Sequence, residues 1–184
     1  RNVVSLEEVS WSPGTPRYVS RPQNIGDAVS QGIELEAKFR LSDVLTEAAR
    51  IDLRGNLSLF RSRVQGIAGP DNRLAEQPGG TLNLGADYRV RGLPLTIGGN
   101  LNHTPGYALR LADNRWATQP DKTVFDAYAL WVFDPNLQLR VSVGNALARD
   151  YLTTTRVESN GQRETASTNA RSYVNGQIRF EIKL

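Results

Sequence analysis

The sequence predicts an all-β protein, an antiparallel transmembrane β-barrel segment, and three observations carry that expectation. Apolar and polar residues alternate with a period of two along most of the chain, as they do when successive strand side chains meet two environments. The alternating runs reach about 10–14 residues, closer to the roughly 9–11 that cross a bilayer at a tilt than to the five or six usual in a soluble sandwich. Their polar side carries full charges in mid-run (Glu34, Glu36, Arg54, Arg140), which suits a wet interior.

The runs follow one another from residue 28 onward. Ile33, Leu35, Ala37 and Phe39 alternate with Glu34, Glu36, Lys38 and Arg40. Ile51, Leu53, Leu57 and Leu59 alternate with Asp52, Arg54, Asn56 and Ser58, and Leu82, Leu84, Ala86, Tyr88 and Val90 with Asn83, Asp87 and Arg89. Leu95, Ile97 and Leu101 oppose Thr96, Asn100 and Asn102. The run from Phe125 to Phe133 is ambiguous, because Leu130 and Val132 share a face with Asp126 and Tyr128. Leu137, Leu139, Val141 and Val143 follow, and Val174, Ile178, Phe180, Ile182 and Leu184 close the series. Weaker runs precede these near 2–9 and 15–24. Residues 41–48 have room for a short helical turn.

The connections fall into two kinds. Arg91-Gly92-Leu93-Pro94 and Asp134-Pro135-Asn136 are short and have turn chemistry. The segments 65–76, 106–121 and 148–171 read as long polar loops. Short and long connections alternate, as periplasmic turns and extracellular loops do in an outer-membrane barrel. Aromatic residues near strand ends (Phe39, Phe60, Tyr88, Trp131, Phe133, Phe180) suit an interfacial girdle.

Composition narrows the function classes. The chain has 184 residues, 39% of them hydrophobic, and a mean hydropathy of −0.42. Its longest uninterrupted apolar run, Ala127 to Phe133, falls far short of the roughly 18–20 residues of a spanning helix, but a membrane barrel passes that filter. The formal charge of +3 is spread along the chain, so no nucleic-acid partner is expected. The absence of Cys excludes disulfides, thiolate metal sites and cysteine nucleophiles, and one histidine, His103, excludes a multi-histidine centre. No signal peptide or initiating Met is present at Arg1, which reads as a mature product or an excised piece. Alternation alone leaves a soluble β-sandwich binding module open. A self-contained barrel of about eight strands, enzyme or adhesin, is open as well.

Particular strings resemble one family. Asn24–Phe39, NIGDAVSQGIELEAKF, is similar to a strand of TonB-dependent outer-membrane receptors, entered through Asn-x-Gly and reading Gly-x-Glu-x-Glu. Asn102–Tyr107, NHTPGY, looks like the end of a later strand of the same barrel. Phe125–Trp131 and Leu139–Tyr151 resemble its penultimate hairpin; Asn145 and Tyr151 keep the spacing of the family's Asn-Leu-x-Asp-x-x-Tyr, with Ala146 and Ala148 at its Leu and Asp positions. The alternating end, Arg179–Leu184, is similar to the signal read by the barrel assembly machinery. The resemblance covers most of 24–184. It implies a barrel of about 22 strands plugged by an N-terminal domain. Residues 1–184 would form its C-terminal segment of eight or nine strands, with the plug and the TonB-contacting box upstream.

His103 lacks the neighbours of a metal site, and no Gly-x-Ser-x-Gly elbow accompanies it. Glu34 and Glu36 share a face but read better as lumen residues near Lys38, Arg40, Arg50 and Arg54 than as an acid–base pair. No catalytic set, metal site or cofactor is expected. Tyr107, Arg110, Asn114, Arg115 and Trp116, with Arg73 in a second cluster, combine stacking surfaces with guanidinium donors, which suits an anionic, aromatic metal chelate. The resemblance then implies a receptor in the Gram-negative outer membrane that takes up a scarce nutrient, a ferric siderophore foremost, with cobalamin, haem or a sugar open. It implies the TonB complex as partner and outer-membrane lipid around the wall.

Overall fold

The computed structural model describes residues 5–12, 17–24, 26–45, 49–159 and 161–183. Its strands are β1 (Ser5–Ser12), β2 (Arg17–Asn24), β3 (Ala28–Arg40), β4 (Ile51–Val64), β5 (Gly80–Arg89), β6 (Leu95–Thr104), β7 (Tyr107–Ala112), β8 (Arg115–Gln119), β9 (Lys122–Asp134), β10 (Leu137–Gly144), β11 (Tyr151–Ser159), β12 (Gln162–Ala170) and β13 (Asn175–Ile182). A 3-10 turn, Leu41–Asp43, sits within the predicted 41–48 segment, of which 46–48 lie outside the described residues. Ile25, Asn160 and Leu184 lie outside them too. No helix among the described residues is long and apolar enough to cross a membrane.

Every pairing is antiparallel, in three sheets. β1 and β2 form one. Seven strands in the order β13-β10-β9-β6-β5-β4-β3 form the wall, and these are the seven alternating runs. The sheet is open: β3 and β13 are its two edges. A further four-stranded sheet, β12-β11-β8-β7, lies beyond one end of the wall.

Register sorts the wall's faces. One row runs Phe39, Leu53, Ala86, Gly99, Ala127, Val143, and the next runs Ile51, Tyr88, Ile97, Ala129, Val141, Ile178. This resolves the ambiguous run, because Phe125, Ala127, Ala129 and Trp131 align with the apolar rows and place Leu130 and Val132 on the polar side. The apolar face is bare. Ile33 is 65% and Ile178 76% exposed, alongside Leu35, Phe39, Phe180 and Ile182. The fully buried apolar side chains are few, Val64, Ile67 and Leu109 among the described residues. A soluble sandwich covers such a face with a second sheet; a lipid-facing wall does not.

The aromatic expectation holds at one end. Phe39, Tyr88, Trp131, Phe133 and Phe180 cluster where the short turns lie, with Phe133 between Trp131 (centroids 6.4 Å) and Phe180 (6.0 Å). Phe60 departs from it. It pairs with Gly32 on the polar-face parity, where its ring lies over the glycine and a Cβ would meet it at 2.9 Å.

Two predicted loops are corrected. Residues 106–121 and 148–171 are largely paired strands, the hairpins β7–β8 and β11–β12. They read as loops because β12 is polar throughout, β8 and β11 are largely polar, and the alternation Tyr107, Leu109, Leu111 in β7 is short. Ladder hydrogen bonds satisfy their backbone all the same.

Candidate functional site

The polar face of the wall is a connected network. Arg54 in β4 bonds Asp87 in β5 through Nη1 and donates Nη2 to Asn100 in β6 at 2.6 Å. Tyr128 in β9 donates its hydroxyl to the other Asp87 oxygen at 2.5 Å, and the Arg140 guanidinium lies 3.9 Å from the Tyr128 ring centroid. Nearer the short turns, Asp52 accepts from Arg40 at 3.0 Å and pairs with Arg89 at 3.3 Å. Two glycines make this possible. A Cβ on Gly85 would run into Arg54, and one on Gly98 into the Asp87 carboxylate and the Tyr128 ring. Two of the four cations expected beside Glu34 and Glu36 pair elsewhere: Arg40 with Asp52, and Arg54 with Asp87. The reason is register, which sets Glu34 opposite Ser58 and Glu36 opposite Asn56.

The outer sheet carries the predicted ligand residues. Arg110 of β7, Trp116 of β8 and Arg156 of β11 fall in one cross-strand row. The Arg110 guanidinium carbon stands 5.5 Å, and that of Arg156 4.4 Å, from the Trp116 ring centroid. Each cation lies within the roughly 6 Å over which an indole face attracts it. Arg110 is held from behind. Its Nη1 donates to the carbonyls of Ala68 (3.0 Å) and Gly69 (3.3 Å), and its Nη2 to that of Asp113 (2.9 Å). Its backbone N–H donates to Asp71 O at 2.8 Å, which ties loop 65–79 to the free side of β7. Glu158 pairs with Arg156 at 3.5 Å and accepts from Arg163 at 3.1 Å.

The other predicted residues are placed differently. Strand alternation turns Tyr107 and Arg115 to the face opposite Arg110 and Trp116. Tyr107 lies within electrostatic reach of Glu76 and Arg73 of loop 65–79; burial first, then Glu76, raises its phenol above the usual value, and Arg73 opposes them. Asn114 is at the hairpin tip, where its carbonyl accepts from Glu158 N–H at 2.9 Å. The structure therefore brings Arg110 to Trp116 and Arg73 near Tyr107, but does not gather all six residues around one point. Asn72, next to Arg73, braces its own loop by donating to Val64 O and Ile67 O. His103 sits at a strand end, bonded through Nδ1 to Thr123 Oγ1 at 2.8 Å.

Sequence reasoning missed Arg156 and Glu158, inside a segment read as loop. The β-branched run Thr153-Thr154-Thr155 with Val157 was the available signal, since such residues favour strands even without alternation.

Comparison with known proteins adds one finding. The family model described as TonB dependent receptor-like, beta-barrel, matches residues 1–146. No curated protein and no solved structure matches the chain.

Proposed function

The chain belongs to the TonB-dependent receptor-like β-barrel family, and on that premise we propose that residues 1–184 form the C-terminal barrel segment of an outer-membrane receptor for a ferric siderophore. Membership carries the coarser statement: an outer-membrane receptor of a transporter family that works with the TonB complex. The finer reading rests on one observation, the Arg110–Trp116–Arg156 row on the outer sheet. It sets two cations around one indole, with Arg110 already fixed by backbone carbonyls. An anionic, aromatic chelate gains charge-assisted hydrogen bonds from the guanidiniums and stacking from Trp116. Asn114 stands at the hairpin tip beside that row, while Tyr107 and Arg115 face the other side of the sheet, where Tyr107 lies within reach of Arg73.

In this mechanism the chain makes and breaks no bond. The bare apolar face lies in lipid. The polar face, with Arg54, Asp87 and Tyr128, lines the interior against a plug supplied by another part of the receptor. Captured ligand passes inward when the TonB complex, driven by the proton-motive force, displaces that plug. The open sheet supports a place within a larger barrel, because β3 and β13 each need a neighbouring strand to satisfy their edges.

The test is energy-dependent uptake of iron-labelled catecholate, hydroxamate and carboxylate chelates by iron-starved cells with the full-length receptor as their sole ferric-chelate route. One class should be taken up, and Arg110→Ala combined with Trp116→Ala should abolish that uptake while the barrel still assembles. Assembled receptor that takes up none of the three overturns the siderophore reading.

A further inference from the structure

Two chain excursions pass from the wall to the outer sheet and back. The first crosses at Pro105-Gly106 and Pro120-Asp121. These two crossings pack backbone against backbone: a Cβ on Gly106 would stand 2.8 Å from Asp121 N and 3.0 Å from Gln119 O. The second excursion crosses at 145–150 and 171–174, and neither stretch is paired in a ladder. Unbraced, such stretches would let the outer sheet tilt.

They are braced through Asn145. Its side-chain amide donates to Ser172 Oγ at 2.6 Å and to Tyr173 O at 2.9 Å, both in the returning crossing. Its backbone N–H donates to Asp126 Oδ1 of β9 at 2.7 Å, and the next N–H, of Ala146, to Phe125 O at 2.7 Å. Asp150 closes the corner from its far end by accepting from Ser172 N–H at 2.8 Å. Arg149 reaches Asp121 of the first excursion at 3.9 Å. Asn145 thus joins three chain segments, with φ at +52°. Asn is one of the few residues that tolerates this left-handed backbone. A carboxylate here would keep that tolerance and lose both donors.

We propose that Asn145 is the positioning residue that locks the outer sheet onto the wall. It thereby sets where the Arg110–Trp116–Arg156 row stands over the barrel. The locking follows from the hydrogen bonds alone; its consequence for ligand capture rests on the receptor reading above. Asn145 and Tyr151 bound this corner, the one fixing its start and the other beginning β11.

The test uses the full-length receptor in outer-membrane vesicles, with no ligand. Spin labels at exposed Thr165 of β12 and exposed Arg61 of β4 report the angle of the outer sheet by dipolar distance, and a pair at Arg61 and Lys183 reports the wall alone. Asn145→Gly keeps the backbone and removes the amide; Asn145→Asp keeps the shape and removes the donors. Both should roughly double the width of the first distribution and leave the second unchanged. Ser172→Ala removes only one acceptor and should broaden the first less; it carries the test if the Asn145 variants fail to assemble. An unchanged first distribution in every assembled variant overturns the proposal. Because no ligand enters, failure of the chelate-uptake experiment leaves this result standing, and the reverse.

Discussion

The seven-stranded wall and the four-stranded outer sheet that two chain excursions raise from it obey different rules. Each outer strand continues a wall strand: the order β12-β11-β8-β7 repeats β13-β10-β9-β6. In the wall, side chains sort by face, apolar to one side and a bonded polar network to the other, with apolar exceptions such as Phe60, Leu130 and Val132 on the polar side. In the outer sheet sorting is confined to β7, where Leu109 is buried, and every residue of β12, from Gln162 to Ala170, is exposed. Backbone pairing is shared; the solvent differs. A ladder satisfies N–H and C=O groups in either medium, but an apolar surrounding penalises a polar side chain and water does not, so alternation marks where the two faces of a strand meet different surroundings rather than where strands are.

The sharpest way to break this comparison is to put the same charge in both places. Ala127→Arg sets a guanidinium in the middle of the apolar face, in the row of Leu53 and Gly99. It should destabilise the assembled barrel by about 2–4 kcal/mol, the cost of Arg near a bilayer midplane. Thr118→Arg, at the exposed position of β8 in the outer sheet, should stay within about 0.5 kcal/mol of the parent. Urea unfolding of the receptor in vesicles, followed by loss of the heat-modifiable band, measures both. Equal effects would mean that the apolar face does not meet lipid.

The same physics explains what was legible. All seven wall strands could be read from the sequence because one face meets apolar surroundings and the other does not. Residues 106–121 and 148–171 were not read as strands because β12 is polar on both faces, β8 and β11 show little contrast, and β7 alternates only over Tyr107, Leu109 and Leu111. The candidate site divides along the same line. Arg110 and Trp116 could be picked by residue type, but only register shows that they are cross-strand partners and that Arg156 joins them. Tyr107 and Arg115 were chosen by proximity in sequence, and alternation turns them to the other face. The corner at Asn145 was visible as a motif with a spacing; its purpose needed Ser172 and Tyr173, which lie some distance along the chain.

A second prediction probes the wall's polar face. Tyr128→Phe removes the 2.5 Å hydrogen bond to Asp87 and keeps the ring beneath Arg140. Hydrogen bonds to charged acceptors are worth roughly 1.5–3 kcal/mol, and Asp87 retains Arg54, so a loss of about 1–2 kcal/mol in the same unfolding measurement is expected. Gly98→Ala should cost at least as much, because its Cβ would displace both the Tyr128 ring and the Asp87 carboxylate. If Gly98→Ala is neutral, the network is not packed as described.

The smallest effect belongs to the outer sheet. Trp116→Leu removes two cation–π contacts, each worth about 0.5–1 kcal/mol at an exposed site. Since the wall and not the outer sheet sets the unfolding midpoint of the barrel, that midpoint should not move. The loss should appear locally, as a rise of roughly five- to thirtyfold in proteolytic nicking at 113–115, the factor that about 1–2 kcal/mol of local opening produces. Trp116→Phe keeps a ring for both guanidiniums and should restore most of the protection. A shift in the global midpoint with Trp116→Leu would show that the two sheets unfold as one unit. The braced corner at Asn145 would then transmit stability as well as position.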